Sequence, residues 1–370
     1  MPHAESAASP IVDDGELAAL IDALGADTRI AVDTEFLRER TYYPRLCLVQ
    51  LAGRSTLALV DPLAGIGLDP LYRFLAERGR TKVLHAAHQD LEIFAHATGR
   101  VPGPIFDTQL AASLAGYPPQ IGFGDLVQEM LGVPLEKGHA RTDWTRRPLS
   151  DAQLSYARDD VRFLLPLADA LGERLEKLRR LAWLEEDARA AEDTARYVQD
   201  PASAWERLKW ARSLTGVRAS AAKRIAAWRE ARAARLDRPR GWILSDAAVA
   251  ELIERMPHDD AALERLRELP PAVRSKCGAE LIELINSPAD EQDTEPDRGS
   301  DRLDGAQLAL VRRLSEELRR IAAELKLSAE VLATQRELRS LVRGERSLDV
   351  LSGWRREIVG DALLKVAGSG

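Results

Sequence analysis

The sequence predicts a mixed α/β sheet with helices packed on it, followed by all-α helical domains. Three observations carry this reading: strand-like apolar segments confined to the first 107 residues, a switch within them to alternating helix and strand, and helical periodicity alone beyond about Arg196. Residues 29–36, 45–52 and 56–61 are three apolar segments with short connections, the pattern of an antiparallel meander. Helical spacing at 68–78 then leads to the run "KVLHA" at 82–86, a helix from Gln89 to about Thr98, the short strand "PIFD" and a helix from Thr108. Hairpin strands followed by alternation imply a mixed sheet.

Two more helices are expected near 124–132 and 151–178, separated by the polar loop "EKGHARTDWTRRPLS". Further on, "ASAWERLKWARSL" and "RASAAKRIAAWREARAARL" have helical spacing, and "SDAAVAELIERMP" begins with a cap and ends at a proline. The segment 286–304, "NSPADEQDTEPDRGSDRLD", is rich in acids, Pro, Ser and Gly and reads as a linker. Helices resume at 306–325, 328–343 and 347–364.

A chain of 370 residues is long for one core, so two or three domains are expected. The apolar fraction of 45% and charged fraction of 30% suit a soluble protein. No run approaches the roughly 18 apolar residues of a membrane span, so no membrane partner is expected. The first 20 residues lack the basic start and apolar core of a secretory signal, and a cytoplasmic location is the expectation. Cys47 and Cys277 stand far apart, which argues against a disulfide framework or a cysteine zinc site. The net charge of −7 hides a basic stretch: from Ala204 to Trp242 there are 11 Lys and Arg against three acids.

Asp33 and Glu35 fall inside the first strand at i and i+2, so both point to one face. Alone, such a pair is ordinarily the solvated face of an edge strand. Two like charges side by side are costly unless a cation lies between them. Asp90 follows the fourth strand in the first turn of a helix, where the helix dipole by itself would favour an acid. In "LSYARDDVRFLLPL", Tyr156 and Asp160 are four apart on a helix and share a face, with Asp159 turned about 100° away.

Taken in order, Asp33-x-Glu35, His85 to Asp90, and Tyr156-x-x-x-Asp160 resemble the three exonuclease motifs of the DEDD superfamily, in its tyrosine-containing branch. The segments "VDTEF", "LHAAHQDLEIF", "FDTQLAASLAGYP", "GFGDLVQEMLGVPLEKGHARTDWTRRPLS" and "YARDDVRFLLPL" are similar to the ribonuclease D family over residues 25–180. "AWERLKWARSLTGVRASAAKRIAAWREARAARLDRPRGWILSD" resembles its helicase and ribonuclease D C-terminal (HRDC) domain. The resemblance implies a ribonuclease H-like 3′–5′ exonuclease domain at 1–195, an HRDC domain at 196–285, the acidic linker at 286–304, and a diverged second HRDC-like domain at 305–370.

It further implies a metal-dependent 3′–5′ exoribonuclease that releases 5′-mononucleotides, with tRNA precursors as the substrate class. Two divalent ions, Mg²⁺ or Mn²⁺, would be held by four carboxylates: Asp33 bridging, Glu35 and Asp160 on the nucleophile side, and Asp90 on the other ion largely through water. Such oxygen-only ligation suits these hard ions, and a pair of them neutralises charge on both sides of a phosphodiester displacement. Tyr156, neutral at pH 7, suits orienting the attacking water. Lys137, His139, Arg141, Arg146 and Arg147 are candidates for RNA phosphate contact against the alternative of a solvated loop. His85 and His139 are not spaced for a zinc site. Trp205, Trp210 and Trp228 are expected in the core of the helical region, with the Arg and Lys rows better placed for RNA. Truncation of residues 200–370 is expected to weaken RNA binding yet spare hydrolysis of short oligonucleotides. A monomer is the expected state.

A DNA-directed proofreading or repair exonuclease is the nearest rival reading, and no polymerase or helicase portion accompanies these motifs. A silent RNA-binding scaffold would be expected to have lost acids. A nucleotide-driven enzyme is disfavoured by the absence of both G-x-x-x-x-G-K-[ST] and G-x-G-x-x-G.

Overall fold

The computed structural model describes residues 9–135, 138, 142–289 and 303–368, which divide into two units. Residues up to Leu37, Leu46–Tyr197 and the segment from Leu303 onward form the first unit; Arg38–Arg45 and Val198–Arg302 form the second.

The first unit is built on β1 (Arg29–Leu37), β2 (Arg45–Ala52), β3 (Leu57–Val60), β4 (Thr81–Leu84) and β5 (Ile105–Asp107). Their order in the sheet is β3-β2-β1-β4-β5. β2 and β3 are antiparallel, whereas β1 pairs β4 in parallel with Ala31 opposite Val83, and β4 pairs β5 in parallel. The mixed sheet follows from the connections: a short turn joins β2 to β3, and helices carry the chain from β3 to β4 and from β4 to β5.

Helices α1 (Asp14–Leu24), α2 (Asp69–Ala76) and α3 (His88–Thr98) cover one face of the sheet. Leu17, Leu24, Leu71, Phe74, Leu91 and Phe94 pack there on Ile30, Val32, Val49 and Leu51. After α4 (Thr108–Leu114) and α5 (Phe123–Leu131), helices α6 (Asp151–Arg162) and α7 (Leu164–Lys177) cover the opposite face, where Val161, Leu164 and Ala168 meet Ala31, Ala52 and Val83. A single helix over 151–178 is the sequence expectation. The structure breaks it at Phe163, because Pro166 cannot donate to the Arg162 carbonyl and its ring crowds that oxygen.

The C-terminal segment, expected to form a domain of its own, shares a core with the rest of the first unit. Leu314, Leu318, Leu332, Leu341 and Trp354 lie in one apolar cluster with Leu114, Leu126, Leu171, Leu175 and Leu184 of α4, α5, α7 and α8 (Leu181–Ala191). Trp354 stacks on Trp183 with centroids 4.4 Å apart and planes 5° from parallel, and its Nε1 donates to Asp187 at 3.1 Å. Arg355 forks onto the same Asp187 carboxylate. Arg180, at the start of α8, donates to the Leu114 and Leu325 carbonyls. The expected helix over 347–364 is interrupted at Gly353, whose φ of 49° leaves helical space; a Cβ there would meet Glu186.

In the second unit, α9 (Gly216–Leu236) packs with Asp246–Arg255 and Pro271–Asn286 through Ile225, Leu252 and Leu281. Trp205, Trp210 and Trp228 lie against this core, and Trp228 donates to Glu280. Glu230, 1% exposed on α9, is paired with Arg207 and Arg240 and accepts from the Tyr42 hydroxyl. The backbone amides of Tyr42 and Tyr43 both donate to Asp237. Of the basic row, Arg224 and Arg229 are likewise committed to internal carbonyls, while Lys209, Arg218, Arg235 and Arg238 are exposed. Among the described residues no helix is long and apolar enough to cross a membrane.

Candidate active site

Strand alternation sends Asp33 and Glu35 to the face of β1 that α6 covers, as the same-face Ala31 shows by packing with Val161. A Ser150–Gln153 capping box starts α6, and one turn of that helix separates Tyr156 from Asp160. Oxygen atoms of Asp33, Glu35 and Asp160 lie within 4.8 Å of one another. The Tyr156 hydroxyl donates to the Asp160 carboxylate. Trp144, 2% exposed, lies against the Tyr156 ring with centroids 6.2 Å apart.

Asp90 stands outside that triad. It is 7% exposed in the first turn of α3, and it accepts a hydrogen bond from Thr34 Oγ1. Its charge still acts on Glu35, and that of Asp33 acts on it. The start of α3 is fixed by Asp107, whose carboxylate accepts from the amides of Ala86 at 3.0 Å, Ala87 at 2.9 Å and Gln109 at 2.8 Å. Ala86 has a φ of 55°, a region a side chain rarely adopts, so the turn needs that grip. Asp107→Ala is expected to lose about 2 kcal/mol of stability and to slow turnover by loosening Asp90. Urea unfolding indistinguishable from wild type would contradict this.

Burial dominates the electrostatics. It raises Asp33 and Asp90 well above the usual carboxylate range, with Asp160 adding to the first and Asp33 to the second. Burial, then Asp33, Asp160 and Asp90, push Glu35 up to about 10. Asp160 is pushed up to about 7 by burial, against the lowering effect of the Tyr156 hydrogen bond. Tyr156 is raised by burial and by Asp160, Glu35 and Asp33, so its hydroxyl stays protonated. No cation is among the groups acting on these four acids among the described residues. Clustered carboxylate oxygens, short of positive charge and without nitrogen or sulfur ligands, fit divalent metal ions of the hard class.

The basic loop divides. Lys137, His139 and Arg141 lie outside the described residues. Arg146 is exposed and pairs with Asp143 at 3.3 Å. All five N–H groups of Arg147 are engaged inside the protein: two on Asp61 at 2.5 and 2.6 Å, the others on the carbonyls of Cys47, Trp144 and Arg146. That arrangement makes Arg147 an anchor of the loop, with no donor left for a phosphate. His85 bonds Thr108 Oγ1 and the Ile121 carbonyl through its two ring nitrogens.

Sequence reasoning did not single out Thr34, Asp107 or Trp144. Asp107 carried a usable signal, an Asp directly before a helical run; Thr34 and Trp144 matter only through partners distant in sequence.

A mixed sheet carrying a buried cluster of carboxylates suited to divalent metals is the setting in which this chain matches the 3′–5′ exonuclease class. The 3′–5′ exonuclease family model matches residues 9–176, and the HRDC domain model matches residues 218–285. Ribonuclease D of Acidiphilium cryptum is 39% identical over 357 residues, covering 95% of this chain and 91% of its own; that of Zymomonas mobilis is 37% identical over 97% and 94%. The crystal structure of Escherichia coli RNase D, described as an exoribonuclease involved in structured RNA processing, superposes with a TM-score of 0.86 at 31% identity, over 100% of this chain and 99% of that one. The chain belongs to the ribonuclease D family, and it is a 3′–5′ exoribonuclease.

Proposed function

We propose that the chain trims RNA 3′ ends one nucleotide at a time with two divalent ions, Mg²⁺ or Mn²⁺, held by Asp33, Glu35, Asp160 and Asp90. The observation that carries this is the convergence of three carboxylates within 4.8 Å, with Tyr156 bonded to one of them. Bound ions would supply Lewis acidity on both sides of the displacement. The residues do the rest. Asp33 would be the shared ligand, Glu35 and Asp160 would hold the ion on the side from which water attacks, and Asp90, which accepts from Thr34 Oγ1, would hold the ion on the side of the leaving group. Water adds to phosphorus, the bond to the 3′ oxygen breaks, that oxygen takes a proton, and a nucleoside 5′-monophosphate departs.

Tyr156 orients the attacking water. A hydroxyl kept protonated by burial and by neighbouring carboxylates is a poor base but a good donor and acceptor for positioning. Tyr156→Phe is expected to lower turnover by about 10²-fold with Mn²⁺ binding retained; an unchanged rate would remove this role.

The proposed substrates are structured RNAs, tRNA precursors in particular, engaged by a monomer. Exposed Arg146, Lys209, Arg218, Arg235 and Arg238 are the proposed phosphate contacts, by Coulomb attraction and counterion release. Residues 305–368, which contain helices and no strand, are proposed to derive from a second HRDC copy. The deciding assay incubates 3′-labelled and 5′-labelled RNA, with DNA controls, with each metal and with chelator. Mononucleotides released from the RNA 3′ end only with metal support the reading; equal activity on DNA, or activity in chelator, would overturn it.

A further inference from the structure

Gln50 is wholly buried on β2, and no group of the described protein pairs with either its amide nitrogen or its amide oxygen. Leaving both ends of an amide unpaired in an apolar interior is costly, and interiors seldom keep such a group without a reason. A Leu or Met would fill the space without that cost.

Its place on the sheet supplies the reason. β2 is the neighbour of β1. Ala52 packs with Ala31 of β1 and Val161 of α6, and Leu48 packs with Ala157 of α6 and against Tyr156. Side chains alternate along a strand, so Gln50, midway between Leu48 and Ala52, faces α6 as they do. Asp33, two residues beyond Ala31, projects from β1 on that same side. Gln50 therefore lies under the stretch of α6 between Ala157 and Val161, the stretch that carries Asp160. The Trp144 indole nitrogen, in the cluster that includes Leu48 and Ala157, is likewise buried without a protein partner. Two unpaired polar side chains in one packing layer behind the acids call for the same solution. Ordered water makes about three hydrogen bonds in such positions.

We propose that Gln50 is a positioning residue for the acid pocket, its amide holding ordered water between β2 and the carboxylates and thereby fixing their oxygens for a divalent cation. The inference rests on the cation reading above. The amide offers two donors and one acceptor, so it can fix the orientation of a water that donates to a carboxylate. Groups that orient metal ligands from behind change metal affinity by 10- to 100-fold when removed, roughly.

Gln50→Leu and Gln50→Met in the full chain test this, with Mn²⁺ affinity read by electron paramagnetic resonance of the free ion and thermal unfolding followed in EDTA. Wild type is expected to bind Mn²⁺ and Asp33→Asn to bind it far more weakly. Both Gln50 variants should unfold at the wild-type temperature or above it, since the amide makes no hydrogen bond to the described protein that its removal would break and an apolar side chain is buried at no polar cost, while their Mn²⁺ affinity falls about tenfold. A merely structural amide would not separate the two readouts. Wild-type affinity in the Gln50 variants overturns the proposal and leaves the cation reading standing. Failure of both variants to fold also overturns it, because the amide would then be satisfied by the protein itself. A wild-type chain that binds no Mn²⁺ removes the cation reading, and this inference with it.

Discussion

Purified Asp33→Asn is expected to lose turnover by on the order of 10³-fold or more while unfolding in EDTA at an unchanged or higher temperature. Asp33 is the acid whose charge bears on both Glu35 and Asp90, and its own oxygens lie with those of Glu35 and Asp160. Removing that charge relieves repulsion in the apo protein and deletes the proposed shared ligand. Stability and activity therefore move apart, which an ordinary core mutation would not produce. Asp160→Asn should behave in the same way. Near-wild-type turnover by Asp33→Asn on 3′-labelled RNA would sink the proposed mechanism.

Trp354→Ala should cost about 3 to 5 kcal/mol, lowering the midpoint of thermal unfolding by about 10 °C in a unit of this size. The ring is 4% exposed, stacked on Trp183, and hydrogen-bonded to Asp187. Its removal leaves a cavity between the C-terminal helices and α8 and strands one acceptor position on Asp187, although Arg355 still covers that carboxylate. Differential scanning calorimetry measures the shift, and a midpoint within about 2 °C of wild type would mean that the C-terminal segment adds little to the catalytic unit. The same packing revises the truncation expected from sequence. Cutting the chain at residue 200 also removes Leu314, Leu318, Leu332 and Leu341 from a core they share with α4, α5 and α7, so the fragment should aggregate rather than retain activity on short oligonucleotides. A shorter excision confined to the second unit is the fairer test of RNA grip.

Local periodicity accounts for what the sequence made legible. Asp33 and Glu35 at a strand spacing, and Tyr156 and Asp160 at a helix spacing, announce their shared faces within five residues, and both pairs converge in the structure. Asp90 was legible as a residue but not in its setting. Thr34 points away from the acids flanking it and reaches a helix 56 positions later, a contact that no spacing rule encodes. Arg147 shows the same limit from the other side: a basic loop reads as solvated or RNA-facing until Asp61 and Cys47, 86 and 100 positions earlier, are found to absorb its donors. The kink at Phe163 was readable from Pro166, but the apolar stripe continues through it, and the stripe was the stronger signal. Joining the last helices to the first unit depends on pairs such as Arg180 with Leu325, which only tertiary packing reveals.

The contact between Glu186 and Trp354 spans 168 positions, and every residue of the second unit's long segment lies between them. A ribosome adding 5 to 20 residues per second needs on the order of ten seconds to cover that interval. During it, α4, α5, α7 and α8 are already made but still lack the side chains that will seal them. The core of the first unit is thus sealed only after the whole of the second unit's long segment has been translated.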